Sequence, residues 1–224
     1  QVMTNYPEYF PLKNNSEALE DLERYQIFEN LIDQLKPKHL RPLNDHYHYL
    51  KDIIKAISDL KREGISLLEF EEIIEAEKKR LVNLQQESKS KTKIKQASKE
   101  LAKNKELLLI YQAYQQELVE SNRYDFDDMI NFVIEAFEKY PELLLEQQEQ
   151  LQHFLVDEYQ DSNNSQTRLL NLLASYWPQQ GLEPDVFAVG DPNQAIYRFQ
   201  GASVENVLAF TRQYPTATVI TLNT

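Results

Sequence analysis

The residues best suited to chemistry in this chain are carboxylates that close two short apolar runs. His153-Phe-Leu-Val-Asp-Glu-Tyr-Gln-Asp161 and Val186-Phe-Ala-Val-Gly-Asp191 each pass from β-branched and aromatic residues straight to acid or glycine. Runs of this length and composition are expected to be buried strands of a parallel sheet covered on both faces. Ligands of such sheets bind just beyond the strand carboxyl ends, which puts Asp157, Glu158 and Asp191 at the mouth of a site. Two adjacent carboxylates that diverge there can divide two tasks. One can hold a hard Mg²⁺ ion, partly through water, while the other orients and deprotonates an attacking water. An exposed acidic turn is the plainer reading of the same pair.

An apolar strand ending in Asp-Glu is the Walker B arrangement of P-loop nucleotidases. Here the second run continues as Gly190-Asp-Pro-Asn-Gln-Ala-Ile-Tyr-Arg-Phe-Gln-Gly-Ala202. Together the two stretches resemble the UvrD/PcrA group of superfamily 1 DNA helicases: Val156-Asp-Glu-Tyr-Gln-Asp-Ser-Asn163 is similar to their motif II, and Gly190 to Ala202 to their motif III, in the same order. Tyr124-Asp-Phe-Asp-Asp-Met-Ile130 resembles the segment leading back into their first motor domain, and Ile220-Thr-Leu-Asn-Thr224 the approach to motif IV. The resemblance implies an ATP-dependent helicase of 3′-to-5′ polarity that uses ATP and Mg²⁺ and acts on single-stranded DNA and duplex junctions. It makes Asp157 the Mg²⁺ ligand, Glu158 the general base and Gln194 the sensor of the γ-phosphate. Tyr197 and Phe199 become the aromatic faces on which bases stack, a sequence-tolerant contact that suits a translocating motor; core packing is the alternative for both. Three positions depart from the group's pattern: Phe199 stands for Trp, Gln200 for Arg and Pro192 for Asp.

The elements that must carry these residues follow from pattern. Leu19 to Leu35 repeat near helical spacing, so a helix is expected from Ser16 to about Leu35. A second is expected over Asp45 to Glu63, with Gly64 at its C-terminal cap, and Ser66-Leu-Leu-Glu69 reads as the capping box of a third. Helix is expected to resume from about Lys95 to Leu118, making a hairpin with the helix over 67–84 across a polar connection. Asp125 can cap a helix through Phe137, Pro141 can open another, and Asn163 to Trp177 is expected to be helical. Ser203 is expected to cap a helix, and Thr218 to Leu222 to form a third strand. The fold class expected is therefore α/β: an all-helical insertion domain over residues 1–122, then part of a RecA-like parallel α/β P-loop NTPase domain over 123–224. For Asp161, a helix cap and a chemical role both remain open.

Composition adds limits. No run of the 224 residues is apolar enough to span a membrane, and the start lacks the features of a secretory signal. Cysteine is absent, which excludes disulfides, thiolate nucleophiles and Cys-based metal sites and fits a reducing cytoplasm. His46 and His48 lack the acid partners of a metal site. The net charge of −12 is unevenly spread: residues 121–224 hold 15 acidic and 5 basic side chains. Lys78 to Lys105 holds 10 Lys and Arg against Glu87 and Glu100, which reads either as a solvated helix face or as a footprint for phosphate backbone. Glycine occurs only at 64, 181, 190 and 201, so Gly-x-x-x-x-Gly-Lys-[Ser/Thr] occurs nowhere in these residues. The chain thus reads as a piece of a helicase motor that is inactive alone, or alternatively as a non-catalytic module that binds nucleic acid or a partner.

Overall fold

The computed structural model describes residues 2–11, 16–87, 90–191 and 204–221. The chain divides into two compact units, residues 1–132 and 133–224.

The first unit opens with α1 (Val2–Asn5) and a 3-10 turn, Pro7–Tyr9, followed by β1 (Glu17–Ala18). Its body is four helices: α2 (Asp21–Leu35), α3 (Leu50–Arg62), α4 (Leu67–Glu87) and α5 (Lys91–Glu120). Then come β2 (Arg123–Tyr124) and the start of α6 (Phe126–Lys139). The apolar stripes meet in one core, in which Phe28, Ile32, Ile57, Ile110 and Tyr114 are fully buried. Phe28 stacks on Tyr114 with ring centroids 4.4 Å apart, fixing α2 against α5. Burial of each such aliphatic or aromatic side chain contributes about 1.5–3 kcal/mol.

The helix boundaries follow local chemistry. Gly64, at φ +68°, ends α3 in the left-handed region that glycine enters without penalty. Ser66 and Glu69 then exchange hydrogen bonds in the expected capping box: the Glu69 amide donates to Ser66 Oγ at 3.2 Å and the Ser66 amide to Glu69 Oε2 at 2.8 Å. The hairpin of α4 and α5 is longer than its pattern suggested, because both helices continue through polar residues that face solvent. Two expectations fail in this unit. Residues 16–20 do not belong to α2, which begins at Asp21, and the region is not wholly helical. Instead Glu17 and Ala18 pair in parallel with Arg123 and Tyr124, and Ser16 Oγ donates to Asn122 Oδ1 at 2.7 Å. A two-residue strand is too short to show any alternation.

The second unit continues α6 and adds α7 (Pro141–Gln150), β3 (His153–Val156), a 3-10 turn at Tyr159–Asp161, α8 (Asn164–Ala174), α9 (Tyr176–Gln179), β4 (Asp185–Ala188) and α10 (Val204–Gln213). The strands pair in parallel, His153 opposite Asp185 through Val156 opposite Ala188, with α8 and α9 in the crossover, as a parallel connection requires. The expectation of strands buried on both faces is corrected. Phe154, Val156, Val186 and Ala188 are half-buried, whereas Leu155 is 83% and Phe187 57% exposed, so among the described residues the β3–β4 sheet is open on one side. The third strand is absent over 218–221: Val219 and Ile220 are exposed and pair with neither β3 nor β4 among the described residues. Ser203, the expected cap of α10, lies outside them, as does Leu222. No described helix is long and apolar enough to cross a membrane.

Candidate functional site

β3 ends at Val156, so Asp157 and Glu158 lie immediately past its carboxyl end, and both are exposed. They line a cleft of about 340 Å³ together with Asp161, Ser162, Gln166 and Thr167. Three anchors hold the turn that carries them. The Tyr159 amide donates to the Val189 carbonyl at 2.9 Å, and the Val189 amide to the Val156 carbonyl at 2.8 Å, extending the pairing of β3 and β4 past the strand ends. Tyr159 is buried and meets Phe210 of α10 edge to face, with centroids 5.0 Å apart. Asn163 caps α8: its side chain accepts from the Gln166 amide at 2.9 Å, while the Gln166 side chain accepts from the Asn163 amide at 3.0 Å. The open choice for Asp161 is thereby narrowed, since the cap of α8 is Asn163. Asp161 Oδ1 is instead a buried acceptor with no hydrogen bond among the described residues.

Glu158 has φ +49°, an uncommon region for a side chain with a Cβ, at a cost of about 1–3 kcal/mol. Its amide donates to Asp157 Oδ1 at 2.9 Å, which leaves Asp157 Oδ2 outside that bond. Gln160, which sequence reasoning passed over, is 1% exposed, and its Nε2 donates to Glu158 Oε2 at 2.6 Å. Neither Asp157 nor Glu158 has a cationic partner among the described ion pairs. No described group of three His, Cys, Asp or Glu could hold a metal by itself. The all-oxygen pair fits Mg²⁺, which takes one or two carboxylates and fills its remaining positions with water and phosphate oxygens. The cleft can thus present one carboxylate to a cation and a second to a water. Gln194, Tyr197 and Phe199 lie outside the described residues, as do Pro192 and Gln200.

A second acidic pair, in the first unit, has a different setting. Asp125 caps α6, accepting from the Asp128 amide at 2.9 Å, and both carboxylates grip Lys61 of α3, at 2.6 Å from Asp125 and 2.8 Å from Asp128. Lys61 is buried, and its ammonium lies 4.9 Å from the Tyr114 ring centroid. The Tyr114 hydroxyl donates to Asp125 at 3.1 Å and the Gln115 side-chain Nε2 to Asp128 at 3.0 Å. Burial raises both carboxyls. At Asp125 the Lys61 charge more than offsets this and leaves it lowered; at Asp128 burial wins, with Asp125 adding repulsion, and the carboxyl is pushed up to about 6. Arg62 pairs with Asp127 at 3.1 Å beside them. This cluster fastens α3 to α6.

The basic stretch is divided between two helices. Lys78, Lys79 and Arg80 are exposed on α4, and Lys91, Lys93, Lys95 and Lys99 are exposed on α5. Lys78 pairs with Glu75 at 3.0 Å, and the Lys103 ammonium lies 4.1 Å from the Tyr49 ring centroid.

The UvrD/REP helicase N-terminal domain profile matches residues 1–215. Among curated proteins the chain is similar to ATP-dependent DNA helicase PcrA of Leuconostoc citreum, 40% identical over 113 residues that make up 50% of this chain and 14% of that protein. PcrA of Staphylococcus aureus (strain NCTC 8325 / PS 47) is 41% identical over 113 residues, 50% of this chain and 15% of the relative. PcrA of Bacillus subtilis (strain 168) is 40% identical over the same length, again 14% of the relative. The chain therefore matches about a seventh of the length of these proteins.

Proposed function

This chain belongs to the UvrD/REP helicase family, and from that membership we propose that it is part of an ATP-dependent DNA helicase whose hydrolytic carboxylates are Asp157 and Glu158. The observation that carries the proposal is the exposed pair just past the end of β3, facing a cleft and with no ion pair among the described residues. Mg²⁺, held by Asp157 and the phosphates of ATP, would supply charge neutralisation at the phosphoryl oxygens. Asp157 contributes a carboxylate oxygen that its bond to the Glu158 amide leaves available. Glu158 takes the proton of the attacking water, with its carboxylate oriented by Gln160. Gln194 reads the γ-phosphate, and Tyr197 and Phe199 stack on bases of single-stranded DNA.

In this reading residues 1–122 are the helical insertion domain and residues 123–224 part of a RecA-like ATPase domain. The motor translocates 3′ to 5′ on single-stranded DNA, unwinds duplex at a junction and works in the cytoplasm, with DNA repair as its setting. The lysines exposed on α4 and α5 contact phosphate backbone near the duplex. The chain alone does not hydrolyse ATP, because its sequence has no Gly-Lys-Thr/Ser loop to cradle the phosphates.

The test compares this chain with the complete protein. The complete protein is expected to hydrolyse ATP when Mg²⁺ and single-stranded DNA are present and to unwind 3′-tailed duplex, while the chain releases no phosphate. DNA-stimulated phosphate release by the chain would overturn the claim of inactivity. A complete protein that binds DNA without turnover would favour the non-catalytic module.

A further inference from the structure

The cleft's acids are connected to the second strand by one buried side chain. Gln160 Nε2 donates to Glu158 Oε2 at 2.6 Å, and Gln160 Oε1 accepts from the Asp191 backbone amide at 3.0 Å. The two ends of the amide are fixed by their neighbours: a carboxylate oxygen can face only a donor, and a backbone N–H only an acceptor. Glutamine is the side chain that offers one of each at this reach. Glutamate at 160 would set two carboxylates against each other, and an aliphatic residue would leave the half-buried Asp191 amide without this acceptor.

Gly190 belongs to the same arrangement. A Cβ added there would lie 2.6 Å from Gln160 Oε1 and 3.3 Å from the Gln160 amide nitrogen, inside contact distance. The backbone past β4 thus approaches Gln160 as closely as it does only because residue 190 has no side chain. Gln160 is also held from below, since Tyr159 is bonded to Val189 and buried against Phe210. Glu158 itself has its backbone in the left-handed region, so its side-chain direction is not set by an ordinary strand or helix.

We propose that Gln160 is a positioning residue for hydrolysis: it holds the Glu158 carboxylate in one orientation and ties that orientation to the backbone at Gly190–Asp191. The proposal rests on Glu158 being the general base. A shift of residues 190–191 moves the acceptor end of the amide and, through its donor end, the base. Because the residues after 191 are those proposed to meet γ-phosphate and DNA, Gln160 is a physical route from them to the water-activating carboxylate.

The experiment uses the complete helicase, with steady-state ATP hydrolysis at saturating DNA. Glu158→Gln comes first. If it keeps full turnover, the general-base reading falls and takes this proposal with it. With Glu158→Gln inactive, Gln160→Ala is expected to lower kcat by roughly tenfold or more, the usual scale for losing an orienting neighbour, with KM for ATP nearly unchanged. Gln160→Glu keeps the size and the acceptor toward Asp191, so it separates orientation from folding. It should move the acid limb of the kcat profile to higher pH, because two facing carboxylates retain a proton between them while the other acids of the cleft, Asp157 and Asp161, are unchanged. Gly190→Ala should lower kcat in the native background and add less in Gln160→Ala, where the 2.6 Å contact with Oε1 is gone and only the 3.3 Å approach to the backbone of residue 160 remains. An unmoved acid limb with native kcat in both Gln160 variants, or a full additional loss from Gly190→Ala, would make Gln160 a packing residue and overturn the proposal.

Discussion

Two acidic pairs, Asp125 with Asp128 and Asp157 with Glu158, have nearly the same composition and nearly opposite surroundings. The first is buried and closed around Lys61, with Tyr114 and Gln115 bonded to the carboxylates. The second is exposed at a strand end, meets no cation among the described residues, and carries a backbone at positive φ. Both pairs begin where an element changes, so position along the chain does not separate them. Partnership does. Carboxylates whose lone pairs are filled by a buried ammonium and side-chain donors hold elements together, and carboxylates left facing a cleft can accept a cation or a proton. Each pair therefore makes a different claim on substitution.

The largest effect on stability is expected from breaking the buried cluster. Lys61→Met in this chain leaves two buried carboxylates without their cation and should cost about 3–5 kcal/mol in urea unfolding. A cost under about 1 kcal/mol would mean that the cluster is solvated, and the contrast would collapse.

A smaller, pH-dependent effect should separate the members of the buried pair. The Asp128 carboxyl is raised from 3.8 to about 6, so the folded state holds a proton there that the unfolded state has released, and its contribution to stability falls as pH rises through that window. Asp128→Asn should therefore gain on the native chain between pH 4.5 and 7, read as urea midpoints. Asp125 has the opposite sign: its carboxyl is lowered, and the stability it contributes at neutral pH is lost only on acidification. Parallel midpoints for Asp128→Asn and the native chain across this window would contradict the assignment.

The smallest stability effect should come from the exposed pair. Asp157→Asn is expected to change unfolding free energy by no more than about 0.5 kcal/mol, as surface substitutions do. A loss comparable to that of Lys61→Met would make Asp157 structural.

The same contrast explains what was legible in the sequence. The position of Asp157 and Glu158 just past a strand end could be read because an apolar run stopping at acids is a local signal, and the caps at Ser66 and Asp125 and the start of α7 at Pro141 were local too. The Lys61 cluster was not readable: in Ser58-Asp-Leu-Lys-Arg62 the lysine looks like part of a solvated face, and its partner Asp125 is 64 residues away. Glu106 is similar. Its carboxylate gathers the backbone amides of Lys38, His39 and Leu40 at 2.8–3.1 Å, a contact with no trace in either segment alone. Gln160 was passed over because its role exists only once β3 and β4 are in register and bring Asp191 beside it. Leu155 and Phe187 misled in the other direction. Their apolar runs carry the mark of a sheet covered on both faces, whereas the described residues cover only one.

Glu158→Gln in the complete protein tests the central claim most directly, with nucleotide affinity and single-turnover hydrolysis measured on the same preparation. The substitution keeps size and a polar tip but cannot take a proton. Unchanged affinity for Mg²⁺–ATP with hydrolysis slowed by about 10²–10⁴-fold is the expected result. Equal loss of affinity and hydrolysis, or hydrolysis at the native rate, would contradict it.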